Sequence, residues 1–66
     1  MNVLVNGEQW VLPAGSTVAD VLERLAVPST GVAVAMDGAV VPRASWLRTP
    51  LRPGALIEVL TAVQGG

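Results

Sequence analysis

Very few side chains in this sequence can do chemistry. There is no Cys and no His, so the chain lacks a thiol nucleophile, a thiolate ligand, the commonest metal ligand and the commonest general base. All four basic residues are Arg, which leaves no side-chain amine. A serine nucleophile needs a base beside it, and none is available. Paired carboxylates could move protons, yet Asp20 and Glu23 fall on the wet side of a helical pattern. Asp37 precedes Gly38 and Asn6 precedes Gly7; the backbone demands of a tight hairpin account for both pairs. The seven glycines show neither dinucleotide-binding nor P-loop spacing. The expectation is a protein that is not an enzyme and binds no cofactor or metal of its own.

What remains is the end of the chain, Val63-Gln64-Gly65-Gly66. Two glycines have no Cβ, so they accept any backbone conformation and pass through a narrow channel. A free α-carboxylate on Gly66 is ionised at neutral pH. Such a group can attack the α-phosphate of ATP and become an acyl-adenylate open to nucleophiles. Gly66 is therefore the expected site of modification, with Gly65 and Gln64 giving access to it. Carried on a mobile tail, one carboxylate could visit several active sites in turn. Residues 64–66 are expected to be that tail, and residues 1–63 the folded domain behind it.

The elements that must hold this tail can be read from the hydrophobic pattern. Val3 and Val5 alternate with Asn2 and Asn6, and Leu4 lies on the polar side: a strand with one buried face. Asn6-Gly7 predicts a hairpin turn, with Glu8 to Leu12 returning and Pro13 ending the strand. Thr17 and Asp20 have the spacing of a capping box, and Val18, Val21, Leu22 and Leu25 form one apolar stripe. Pro28 requires that helix to stop near Ala26. Gly31 to Met36 reads as a strand, Asp37-Gly38 as a second hairpin turn, and Ala39 to Val41 as a short strand before Pro42. Ala44 to Leu47 suits one helical turn. Thr49-Pro50 and Pro53-Gly54 read as turns, and Ala55 to Val63 as a last strand rich in β-formers. The order strand, strand, helix, strand, strand, strand predicts an α+β domain: a mixed sheet of four to five strands with one main helix across it.

A chain of 66 residues buries only roughly 60% of its unfolded surface. With neither disulfide nor metal to help, it depends on an efficient core and on partners. A hydrophobic fraction of 52% leaves apolar surface for an interface. In the last strand Glu58 must face water, which puts Leu56 and Leu60 on its side and Ile57 and Val59 in the core. Leu4 lies on the outer face of the first strand. Leu4, Glu58, Leu60 and Val63 are thus the candidate partner-binding residues, with Leu4 and Leu60 expected to lie close together. The alternative is that they are isolated surface leucines of no consequence. Net charge is −1 with two Trp as the only aromatic residues; with no basic stripe, nucleic-acid binding is not expected. No apolar run reaches transmembrane length. Met1-Asn2-Val3 lacks the basic start of a signal peptide, so a cytoplasmic protein is expected.

Two segments resemble a known family. Val32-Ala33-Val34-Ala35-Met36-Asp37-Gly38-Ala39-Val40-Val41-Pro42-Arg43, followed by Trp46, is similar to the ThiS family of thiamin-biosynthesis sulfur carriers. So is Gly54-Ala55-Leu56-Ile57-Glu58-Val59-Leu60-Thr61-Ala62-Val63-Gln64-Gly65-Gly66. Val5-Asn6-Gly7-Glu8 and the Thr17-Val18 helix start fit as well, so the resemblance spans the chain. It implies a ubiquitin-like β-grasp fold. It also implies a cycle in which a ThiF-type adenylating enzyme, using ATP and magnesium, activates Gly66. Sulfur from a cysteine desulfurase then forms a thiocarboxylate, and thiazole synthase takes that sulfur into the thiazole. Ala55 departs from the family, which often carries an acidic residue there; this bears only on a turn. Arg43 is expected to fix the turn after Pro42 or to pair with a carboxylate, and Trp46 to pack over one edge of the sheet. Two other readings stay open. One is a sulfur carrier of the same fold serving molybdopterin, a family that is usually longer. The other is a β-grasp module that binds partners without covalent chemistry.

Overall fold

The computed structural model describes residues 1–28 and 30–61. Five strands and one main helix form it: β1 (Asn2–Val5), β2 (Glu8–Val11), α1 (Val18–Leu25), β3 (Val32–Met36), β4 (Ala39–Val40) and β5 (Leu56–Thr61), with a short 3-10 helix at Arg43–Arg48 before β5. The sheet order is β2-β1-β5-β3-β4. β1 and β5 are parallel at the centre, and the other neighbours are antiparallel. This is the β-grasp arrangement, with α1 laid across one face.

Local chemistry explains each element. Both hairpins turn on a residue and a glycine at positive φ, Asn6-Gly7 (50° and 82°) and Asp37-Gly38 (52° and 84°). That is the geometry which matches the twist of paired strands. The capping box forms as expected: the Thr17 amide donates to the Asp20 carboxylate (2.8 Å) and the Asp20 amide to the Thr17 hydroxyl (3.4 Å). At its far end α1 closes on Ala26 in the left-handed region (φ 57°), whose N–H reaches back to Leu22 and Glu23 carbonyls.

The inner face of the sheet supplies Val3, Val5, Val34, Ile57 and Val59 to the core; α1 supplies Val18, Val21 and Leu22, and Trp46 joins from the 3-10 helix. No buried side-chain polar atom among the described residues lacks a partner. One expected turn is absent. Thr49 is extended (φ −104°, ψ 99°) and Pro50 bridges Thr17 in antiparallel fashion, with the Val18 amide donating to the Thr49 carbonyl at 3.0 Å. The cause is the proline itself, whose ring drives the preceding residue into the β region. The connection therefore runs along the start of α1 and closes that end of the core.

Candidate functional site

β5 is the central strand and the last described element, and its alternation sorts the candidate residues. Ile57 is 1% exposed and Val59 is buried, whereas Leu56, Glu58 and Leu60 all face outward. On the same outer face lie Leu4 of β1, Ala33 and Ala35 of β3, Val40 of β4 and Val11 of β2. Leu60 is 67% exposed, and Val11 and Val40 are exposed as well. Among the described strand residues facing this way, Glu58 alone carries a charge. Asn2 and Gln9 share this face, and each outward Leu or Val leaves apolar area in water.

The register corrects one expectation. In the parallel pairing Leu4 lies opposite Leu56, while Leu60 lies opposite Ala33. Leu60 lies four positions along the strand from Leu56, about 13 Å at the usual rise. Leu4 and Leu60 are thus on one face without being close together, because β1 ends at Val5, where Asn6 turns away. The surface is an elongated strip: Leu4 and Leu56 at one end, Glu58 in the middle, Leu60 with Ala33 at the other. Val63, Gln64, Gly65 and Gly66 lie outside the described residues, and so does the expected mobility of the tail.

Arg43 and Trp46 resolve differently from one another. The indole of Trp46 is buried, and its Nε1–H donates to the Val41 carbonyl at 2.9 Å. That bond holds it beside the end of the edge strand β4, and it lines a cleft of about 200 Å³ with Ala19, Leu22, Glu23, Val27 and Pro28. Arg43 is exposed and forms no ion pair with a described carboxylate. The turn after Pro42 is closed instead by the Ser45 amide donating to the Pro42 carbonyl at 2.8 Å.

Two residues do more than the sequence indicated. Asp37 is not only a turn former. Its carboxylate accepts from the Leu56 amide (2.9 Å) and from the Arg52 guanidinium (3.1 Å), tying the start of β5 to the second hairpin. Asn6, in the first hairpin, bonds the other end of β5: its side-chain oxygen accepts from the Val59 amide (2.8 Å) and its Nδ2 donates to the Val59 carbonyl (3.2 Å). The only sequence signal for either was a polar residue in a hairpin turn, and turn geometry alone had accounted for it. No helix among the described residues is long and apolar enough to cross a membrane.

Comparison with known proteins matches the model of the ThiS family to residues 2–66. The chain is 32% identical over 66 residues to the sulfur carrier protein ThiS of Escherichia coli, covering all of both chains. It is also 32% identical to a segment of a thiazole synthase of Paramagnetospirillum magneticum, where all of this chain spans 20% of that protein. Among solved structures, the crystal structure of the thiamine biosynthesis protein ThiS from Geobacter metallireducens superposes with a TM-score of 0.81 at 29% identity over the whole of both chains. A solution structure of a thiamine biosynthesis protein from the same organism gives 0.78 at 29% identity, covering all of this chain and 88% of the other.

Proposed function

As the chain belongs to the ThiS family, we propose that it is a sulfur carrier of thiamin biosynthesis that bears its cargo on the carboxylate of Gly66. The observation that carries this reading is the reach of the family likeness. It runs from residue 2 to residue 66 and so takes in Gln64-Gly65-Gly66 as well as the folded domain. A carboxylate oxygen of Gly66 attacks the α-phosphate of ATP in a ThiF-type adenylating enzyme, which also holds the magnesium; pyrophosphate leaves and an acyl-adenylate forms. Sulfur mobilised by a cysteine desulfurase as a persulfide then displaces AMP at the acyl carbon, and a thiol reduces the resulting acyl disulfide, leaving the thiocarboxylate and a new disulfide. Thiazole synthase accepts that sulfur. The resemblance of this whole chain to one fifth of a protein named thiazole synthase supports that enzyme as the partner.

The carrier contributes no side chain to the chemistry and acts as a protein co-substrate. Its contribution is docking: the strip of Leu4, Leu56, Glu58 and Leu60 presents apolar anchors around one carboxylate, a surface suited to burial against each enzyme in turn. Gly65 and Gln64 then lead Gly66 into the active site. Incubation with the adenylating enzyme, ATP, magnesium and a sulfur source is expected to raise the intact mass by the difference between sulfur and oxygen. The change should require ATP. An unaltered mass under these conditions would refute the reading.

A further inference from the structure

The geometry points to Asn6 as a positioning residue for sulfur loading: its side chain continues the sheet where β1 has ended, and so fixes β5 on that side at Val59, seven residues before Gly66. The inference rests on the sulfur-carrier reading above.

The hydrogen-bond ladder shows how. The Leu4 amide donates to the Ala55 carbonyl and the Asn6 amide to the Ile57 carbonyl, both at 2.9 Å. Were β1 to run on in this parallel register, the amide of residue 8 would meet the Val59 carbonyl, and the carbonyl of Asn6 would meet the Val59 amide. Neither happens, because Asn6 enters the left-handed region (φ 50°) and the chain turns back into β2. The Asn6 side chain supplies both missing groups: its oxygen takes the Val59 amide and its Nδ2 serves the Val59 carbonyl. A primary amide is the smallest side-chain group that presents donor and acceptor as a peptide does. Val59 is itself buried, so leaving its backbone groups unpaired would be costly.

Without this clasp the last bond between β1 and β5 is at Ile57. Residues Val59 to Thr61 would then be held along one edge alone, by β3. The fixed point on the β1 side would retreat by two residues, from Val59, seven residues before Gly66, to Ile57, nine before it. A strand end held on one edge opens more readily. The carboxylate would then be presented from a less defined origin, while the outer strip that docks would be unaltered. Asn6 thus governs the chemical step rather than recognition.

Two substitutions separate the clasp from the turn. Asn6→Gly keeps positive φ without strain and removes both bonds. Asn6→Asp also tolerates positive φ and keeps the acceptor for the Val59 amide, but sets a carboxylate oxygen against the Val59 carbonyl. Adenylation of each variant by the ThiF-type enzyme is followed as pyrophosphate release against carrier concentration. Hydrogen exchange is read at Val59, with Asp37→Ala as a control that perturbs the opposite end of β5. Both Asn6 variants are expected to lower kcat about tenfold, since displacements of about 1 Å at a reacting group can cost still more. KM for the carrier should stay within about twofold, as docking is untouched. Val59 exchange should accelerate about tenfold or more, and Asp37→Ala should leave kcat unchanged. A purely structural role would instead raise apparent KM in step with lost stability and spare kcat in all three variants; that result, or wild-type kcat in both Asn6 variants, overturns the proposal. Failure of the wild-type protein to be adenylated is a separate outcome: it overturns the carrier reading, and the role of Asn6 in loading falls with it.

Discussion

Leu56 and Ile57 are adjacent, isomeric and on the same strand, yet they have opposite tasks. Ile57 sits at 1% exposure between β1, β3 and α1, whereas Leu56 is 52% exposed on the far side of the sheet. The pleat alone makes the difference, because successive side chains leave a strand on opposite faces. The inner face carries the stability of a domain that has no Cys and so no disulfide to add to it. The outer face keeps Leu4, Val11, Val40, Leu56 and Leu60 exposed beside Asn2, Gln9 and Glu58. The docking role proposed for the outer face would need apolar residues on both faces, and the alternation of β5 keeps the two sets separate.

Substitutions can break or sharpen this contrast. The largest effect is expected at Ile57. Ile57→Ala should cost about 2 to 5 kcal/mol in a domain whose total stability is roughly 3 to 10 kcal/mol at about 0.05–0.15 kcal/mol per residue. Urea denaturation should show a midpoint well below wild type, with no folded baseline if the parent lies at the low end of that range. A midpoint close to wild type would mean that the core lies elsewhere. An intermediate effect is expected at Asp37, which frames β5 without belonging to either face. Asp37→Ala should cost about 1 to 2 kcal/mol, from strain at positive φ and the lost bond to the Leu56 amide. Asp37→Asn keeps the oxygen and tolerates the turn; it loses the ion pair with Arg52, which is exposed and worth under about 1 kcal/mol. Equal losses in the two variants would place the weight on the ion pair instead. The smallest effect on folding is expected at Leu60, where Leu60→Arg should change stability by under about 0.5 kcal/mol. The same variant should bind the adenylating enzyme measurably more weakly in titration calorimetry. If it unfolds the domain, the outer face is not a free surface; if it binds normally, the strip is not the docking surface.

Much of the scaffold is legible in the residues because its signals are local. Asn6-Gly7 and Asp37-Gly38 specify turns by the φ values they tolerate, Thr17 and Asp20 specify a helix start, and Glu58 sets the phase of β5. What the residues hide depends on which strands meet. That Leu4 faces Leu56 instead of Leu60 follows from the β1/β5 register, a pairing across more than fifty residues that no local pattern encodes. The bonds from Asn6 to Val59 and from Asp37 to Leu56 are hidden for the same reason: each side chain is already explained by its own turn, so its distant partner leaves no separate trace. Ala26 at the end of α1 misleads in another way. It adopts a conformation that favours glycine, and the stop is enforced by Pro28 two residues later. The chemistry proposed for Gly66 rests on elimination and on the family likeness, since a chain without Cys, His or Lys offers few side chains for it.

If sulfur is borne on the carboxylate of Gly66, deleting that residue must abolish loading. Deletion withdraws the terminal carboxylate by at most about 3.6 Å while leaving every described strand and the outer strip in place. The truncated protein should keep the wild-type denaturation midpoint and compete with the intact carrier for the adenylating enzyme. Incubated with that enzyme, ATP, magnesium and a sulfur source, it should show no mass increase, while the intact protein gains the difference between sulfur and oxygen. A truncated protein that takes up sulfur as readily as the intact chain would contradict the assignment of Gly66 as the carrier group.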